Sequence, residues 1–448
     1  MTNQPLNEKL SRLSDASSFA LALAKKRGAD ECAVSASIGR GLSVDVRLGE
    51  VETVSHYLDH EFGISVAIGK QSASVSTSDL SELAISEAVD KALSIAKFTE
   101  ADPFSGLPSP ETLAKTWPDL NLYHPWKIDV PEATELAKTL ESLSLESDPK
   151  IKNSEGANVN MTEHALWYAA SNGFSAGDLS SRHSLSISVI AEEKGLMQRD
   201  SDYTVARCAS DFETLELVAK RAAEGAVNRL GARKLRTGKY PILFRFDVSA
   251  GLIGSLLSGI AGSNLYRGQS FLVDHLGRKL FPDFMEITED PFIPKGLSST
   301  PYDDEGVVVS KRKLIEQGVL QGYLLNTYSA RRLRMQSTGN CGGSHNIVVN
   351  NTHDSFEDLL RKMDRGLLIT ELFGQGVNLI TGDYSRGAFG FWVEKGKIQY
   401  PVEEFTIAGN LRDMYQSILG IGTDTEKRNK IQIGSLLIEQ MTVAGEDS

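Results

Sequence analysis

Cysteine is scarce. Cys32, Cys208 and Cys341 are odd in number, far apart and form no Cys-x-x-Cys pair, so no disulfide framework is expected and a reduced, cytosolic compartment fits best. Long hydrophobic runs are missing as well. The longest apolar candidate, residues 251–262, is too short to span a bilayer. Its small residues at short intervals predict a helix packed closely against another backbone. The N-terminal residues show no basic stretch followed by an apolar run, so no secretory signal is expected. The formal net charge of -12 argues against non-specific nucleic-acid binding.

Familiar catalytic signatures are also lacking. There is no Gly-x-Ser-x-Gly elbow, and the serines flanked by glycine at Ser255 and Ser263 have no histidine or acid nearby in sequence. Residues 374–379 lack the third glycine of a dinucleotide fingerprint and do not end in Gly-Lys-Ser/Thr. They read as a turn between a helix and a strand.

Glycine, by contrast, is abundant where it counts. Thirteen lie between Ser337 and Thr423, threaded through runs rich in β-formers. Such density marks tight turns, bulges and places where another backbone comes close, whether a peptide substrate or a partner subunit.

The length calls for two or three domains. Residues 6–27 are Ala/Leu-rich and end in Lys-Lys-Arg-Gly, a helix C-terminal signature. Residues 32–77 alternate polar and apolar in short runs broken at Gly49-Glu50 and Gly69-Lys70, the pattern of an antiparallel meander with one solvated face. Asp79 with Glu82 predicts a capping box opening a helix to about Phe98. Six of the fourteen prolines fall between residues 101 and 131, which marks a linker or long connection. Helices are predicted over 132–143, 212–230 and 355–369, and strands over 185–190, 242–246, 306–309 and 347–349. The resulting expectation is an α+β protein. Residues 1–110 form an N-terminal α/β domain, a meander with flanking helices. Residues 111–235 complete that half, and 236–448 form a β-rich, barrel-like domain.

Metal ligands converge poorly in sequence. Cys341, His345, His353 and Asp354 form the one local cluster, with loose spacing, and His56 and His60 lie in a strand-and-turn context. Loop and surface positions are the plainer reading for all of them. The basic runs Lys311-Arg312-Lys313 and Arg331-Arg332-Leu333-Arg334 read as solvated faces, with a phosphate or acidic-partner contact as the alternative.

Four motifs of the C-terminal half then stand in a telling order: Tyr266-Arg267-Gly268-Gln269-Ser270-Phe271, Thr338-Gly339-Asn340-Cys341-Gly342-Gly343, the run from Gly376 to Ser385, and the run from Tyr400 to Leu411. Together they resemble the TldD/PmbA family of bacterial peptidases, over nearly the whole chain and in its PmbA (TldE) branch. The resemblance implies a cytoplasmic protein with an α/β N-terminal and a β-rich C-terminal domain. It implies a heterodimer with a TldD-like subunit, or a homodimer when alone, acting as a zinc peptidase on unfolded or modified peptides, in roles such as microcin leader removal and antitoxin degradation. In the TldD branch a His-Glu-x-x-x-His motif and a later cysteine hold the metal.

This sequence departs from that motif. Residues 246–264 contain no histidine and no glutamate, and Asp247 is their only ionisable side chain. Ile253, Gly254 and Ser258 stand where ligands and base would lie, and residues 420–424 have no cysteine. No catalytic or metal residue is therefore expected here, and zinc is expected in the partner. Asn264, Tyr266, Arg267, Asn340, Gly342, Gly382, Asp383 and Tyr384 are the expected peptide or partner contacts. The alternatives are a peptidase in its own right using Cys341, His345 and His353, and a non-proteolytic adaptor.

Overall fold

A computed structural model of the chain describes residues 6–446. The opening helix α1 (Leu6–Lys26) leads into the meander β1 (Glu31–Arg47), β2 (Glu50–Ile68) and β3 (Gln71–Thr77). Helix α2 (Glu82–Ala96) follows, but its cap is not Asp79. Ser81 accepts the N–H of Ala84, while Asp79 is used up in a turn, accepting the N–H of Ser81. After the proline-rich stretch come α3 (Val130–Glu146), β4 (Ile151–Ala170), β5 (Ser175–Glu193), β6 (Leu196–Ala206) and α4 (Leu215–Asn228). Asp129 and Glu132 close a reciprocal capping box on α3.

These six strands form one sheet in the order β3-β2-β1-β4-β5-β6. β1 pairs with β4 from Ala33 opposite Ala170 to Val46 opposite Ala157, so the sheet is continuous across the proline-rich stretch. Alternate β1 side chains are buried on one face: Val34, Ala36 and Ile38 against α1 and α2, then Leu42, Val44 and Val46 against α3 and α4. The other face carries Ser35, Ser37 and Ser43.

The C-terminal half begins with β7 (Gly238–Phe244), α5 (Phe246–Gly259) and α6 (Gly262–Tyr266). It continues through β8 (Ile287–Asp290), β9 (Arg312–Glu316), β10 (Val319–Leu320), α7 (Thr327–Leu333), β11 (Asn346–Val349) and α8 (Phe356–Met363). Then come β12 (Gly366–Phe373), β13 (Val377–Asn378), β14 (Asp383–Glu394), β15 (Lys397–Asn410) and α9 (Leu411–Gln416). The last strands are β16 (Ile418–Ile421), β17 (Ile431–Gln432) and β18 (Leu436–Ala444). Strands β12, β7, β18, β15 and β14 pair in turn, and β14 pairs back onto β12. The ring is a closed five-stranded barrel. A second sheet, β10-β9-β8-β11-β17, packs beside it, and one apolar core runs between the barrel, α5 and this sheet. Among the described residues no helix is long and apolar enough to cross a membrane.

Three local expectations fail, each for a physical reason. Residues 306–309 make only an isolated bridge, Leu113 with Val307, because Asp303 takes the N–H groups of Glu305 and Val307 and curls the chain. The helix expected over 355–369 stops at Met363, Asp364 turns at φ +56°, and Leu367, Leu368 and Ile369 enter the barrel in β12. A strand buried on both faces is a continuous apolar run and mimics a helix in sequence. For the same reason residues 374–379 follow strand β12 rather than a helix, and Val377–Asn378 within them form β13.

Some glycines mark close approach of the chain to itself. A Cβ on Gly376 would stand 1.5 Å from the carbonyl oxygen of Ser385, and one on Gly390 2.0 Å from that of Leu368. Both sit where barrel strands crowd. The proline-rich stretch, finally, is tied down. Arg331 donates to the carbonyls of Phe104, Gly106 and Leu107, and the Tyr328 hydroxyl donates to Asp102 at 2.8 Å.

Candidate functional site

Helix α5 shapes the site. Its apolar side, including Leu252, Ile253 and Leu256, is buried on the barrel. Its small side, Gly251 and Gly254, has open space where a Cβ would go. The close packing expected of this small-residue helix occurs only toward its end, where a Cβ on Gly259 would meet Leu272 at 2.9 Å. At Gly262, in α6, it would meet Ser329 at 2.3 Å. Between α5, α6, the start of α7 and the 340–344 loop lies a cleft of about 460 Å³, lined by Gly254, Ser258, Ser263, Asn326, Ser329, Asn340 and Ser344 among others. Lys430, at its rim, is the one charged residue of the lining and donates to Ser344 at 3.3 Å.

The floor beneath is buried and closely hydrogen-bonded. Glu289 is fully buried and accepts from Arg312 Nε at 2.9 Å, Asn340 Nδ2 at 2.8 Å and the His345 N–H at 3.0 Å. Arg312 also donates to Asn340 Oδ1 and the Tyr323 carbonyl, both at 2.9 Å. Charge and hydrogen bonds are thus balanced below the cleft, which is the condition for keeping an ion pair out of water.

The expected contact residues separate into three places. Asn340 belongs to the floor, and Gly342 follows it at φ +92° with a Cβ position occupied by Asp304. Asn264, Tyr266 and Arg267 are on or just after α6; Asn264 donates to the Ser258 carbonyl at 2.8 Å, and Arg267 stacks on Tyr266. Gly382, Asp383 and Tyr384 lie apart, in the β13–β14 turn. There the Gly382 carbonyl accepts from Leu411, Asp383 accepts from Thr381 and Asn410, and Tyr384 is buried in the barrel core. These three do not line the cleft.

Glu289, Lys430 and Ser344 had no signal in the sequence, and Arg312, expected on a solvated face, is turned into the floor instead. The signal for Arg312 was alternation within a strand: Lys311 and Lys313 reach surface carboxylates while Arg312 points inward, so the run 311–313 is not one solvated face. Nor is the run 331–334, since Arg331 is turned onto backbone carbonyls.

Cys341, His345 and His353 do not converge. His345 is buried and bonded through Nε2 to the Gly339 carbonyl, whereas His353 is exposed. Burial, with Glu305, Asp303 and Asp304 alongside, pushes the Cys341 thiol well above its ordinary range, so it is no thiolate at neutral pH. Asp303 is pushed up to about 7 by burial, which outweighs the backbone N–H groups of Cys341, Val307 and Glu305 that favour its charged form. Among the described residues no group of three or more His, Cys, Asp or Glu is placed to hold a metal ion.

A larger hollow of about 650 Å³ opens between the halves, and much of its charge is spent within it: Arg428 on Asp202 and Glu426, Arg221 on Asp202 and Glu213.

Comparison with known proteins gives the cleft its context. Domain 1, the central domain and the C-terminal domain of the PmbA/TldA metallopeptidases match residues 32–96, 123–230 and 237–445 in turn. The chain belongs to the PmbA/TldD metallopeptidase family. Metalloprotease PmbA from Escherichia coli O157:H7 is 46% identical over 434 residues, 97% of this chain and 96% of that one. A metalloprotease TldD homolog from Haemophilus influenzae is 28% identical over 315 residues, 62% of this chain and 64% of that one, so the PmbA side of the family is nearer. TldE from Thermococcus kodakarensis shares the fold, with a TM-score of 0.84 at 22% identity, over 96% of this chain and all of that one.

A family of metallopeptidases raises the question of zinc, and the donors on α5 answer it locally. At the three positions where the resemblance would put ligands and base, Ile253 is sealed in the core, Gly254 offers no side chain and Ser258 offers a hydroxyl. In the 420–424 segment Asp424 is held by the N–H and hydroxyl of Ser435. Zinc takes imidazole, thiolate and carboxylate ligands. These side chains do not fit it.

Proposed function

We propose that this chain is the PmbA/TldE-type subunit of a cytoplasmic TldD/TldE-type metallopeptidase, acting on unfolded or modified peptides, with zinc held by a TldD-like partner. The observation that carries the reading is the α5 cleft: an open groove of hydroxyls, amides, backbone and a few apolar side chains on a hydrogen-bonded floor, with Lys430 at its rim and no histidine, cysteine or carboxylate in its lining. Such a lining suits an extended peptide, whose main chain is recognised through hydrogen bonds with little demand on sequence. Folded substrates would not offer that backbone. In this arrangement the chain contributes a wall and the partner contributes the metal and its activated water.

The test is to purify the chain alone and with a TldD-like subunit, measure bound zinc, and follow cleavage of an unstructured peptide. Zinc and chelator-sensitive cleavage are expected only with the partner. Zinc-dependent cleavage by the chain alone would overturn the reading, and so would a failure of the two chains to associate.

A further inference from the structure

The far ends of α6 and α7 meet beside the cleft. Ser263 and Ser329 line it, while Tyr266 and Arg332 stand three residues further along their helices, about 5 Å away along each axis. The Tyr266 ring meets Tyr328 edge-on, with centroids 5.6 Å apart. Two guanidinium groups share the Tyr266 ring: Arg267 at 5.5 Å and Arg332 at 5.1 Å from its centroid. Arg332 also lies 4.8 Å from the ring of Phe104.

Among the described residues neither Arg267 nor Arg332 has an ion pair or a side-chain hydrogen bond; their contacts are aromatic. Asp102 is near Arg332 but is already engaged by the Tyr328 hydroxyl and the Phe104 N–H. Arg229, Arg312 and Arg428 are each matched to carboxylates, and Arg233 and Arg365 each rest on an aromatic ring, but among the described residues Tyr266 alone carries two guanidinium groups. Asp102 offsets part of the Arg332 charge through space without forming an ion pair with it, so the two guanidinium groups keep their hydrogen-bond donors free for a further anion. Arginine presents a planar fork that pairs with a carboxylate through two hydrogen bonds, and stacking holds that fork in place beforehand.

We propose that Arg267 and Arg332 bind the carboxylates of an acidic stretch in an extended peptide whose neighbouring residues lie in the α5 cleft. The proposal rests on the reading that the cleft takes peptide. At about 3.3 Å per extended residue, the acidic side chains would lie about one or two positions from the cleft-bound residues. Nucleic acid is the less favoured anion, because the chain as a whole is strongly acidic.

The experiment uses the full chain and fluorescence anisotropy. The probes are a labelled extended peptide with an Asp/Glu-rich end and its counterpart with Asn and Gln in their place, each at low and high salt. The acidic peptide is expected to bind roughly tenfold more tightly at low salt, with the gap closing at high salt. In the Arg267→Gln/Arg332→Gln chain the two peptides should bind alike, and in Arg332→Glu the order should reverse. Equal binding of both probes to the native chain would overturn the proposal, as would a preference that survives the double substitution or tighter binding of a single-stranded oligonucleotide. A neutral peptide that fails to bind, beside an acidic one that binds through the arginines, would remove the cleft reading and leave the arginine site standing.

Discussion

The cleft over α5 and the surroundings of Cys341 share one loop and are built from opposite materials. Residues 340–344 give Asn340, Gly343 and Ser344 to the cleft, where Lys430 is the one charged group of the lining and space is open. The same loop turns Cys341 toward Asp303, Asp304 and Glu305, where burial and negative charge suppress ionisation. The residues that look reactive in sequence are therefore the ones the fold quiets, and the residues that look inert are the ones it exposes. A cysteine and a histidine close in sequence describe composition; reactivity depends on what surrounds them.

The strongest way to break this contrast is to attack the floor. Glu289→Ala strands the Arg312 guanidinium in the core, so urea unfolding should show a loss of about 3–5 kcal/mol. A loss below about 1 kcal/mol would mean that the floor is not sealed from water.

Asp303 offers a pH test on the other side of the loop. Its carboxyl is raised in the folded state, so its contribution is full below the ordinary value of 3.8 and is lost as pH climbs through about 7. Stability measured across that window should fall by up to a few kcal/mol from this group, and Asp303→Asn should flatten the fall. An unchanged profile would place Asp303 in water.

A pair of glycine substitutions comes next. Gly390→Ala drives a Cβ into the Leu368 carbonyl and should cost about 1–3 kcal/mol in thermal or urea unfolding. Gly254→Ala meets open space, should keep or raise stability by up to about 1 kcal/mol, and should weaken peptide binding in the cleft. Equal losses at both sites would erase the distinction between packed and open glycine. The smallest effect concerns thiol chemistry: alkylation of Cys341 at neutral pH should be slow, and faster in Glu305→Gln. Rapid labelling of the native chain would show the thiol to be ionised.

What could be read ahead of the structure follows from burial. The meander was legible because one face of its strands is solvated, which leaves a period of two in the sequence. β12 was not, because a barrel strand packed on both sides has no polar phase to betray it. The bareness of α5 was plain from its side chains alone. The floor was hidden, since Asn340 and Glu289 are fifty-one residues apart and meet only through the pairing of β8 with β9 and β11.

The pairing of β1 with β4 has a consequence for synthesis. β4 is made only after α2, the proline-rich stretch and α3 have left the ribosome, so the edge of β1 from Ala33 to Val46 waits uncovered for more than a hundred residues of elongation. A nascent chain stopped at the proline-rich stretch would carry a long bare strand edge, a template for pairing with any neighbour. During that interval the early chain is exposed to misassembly, and completion of β4 ends it.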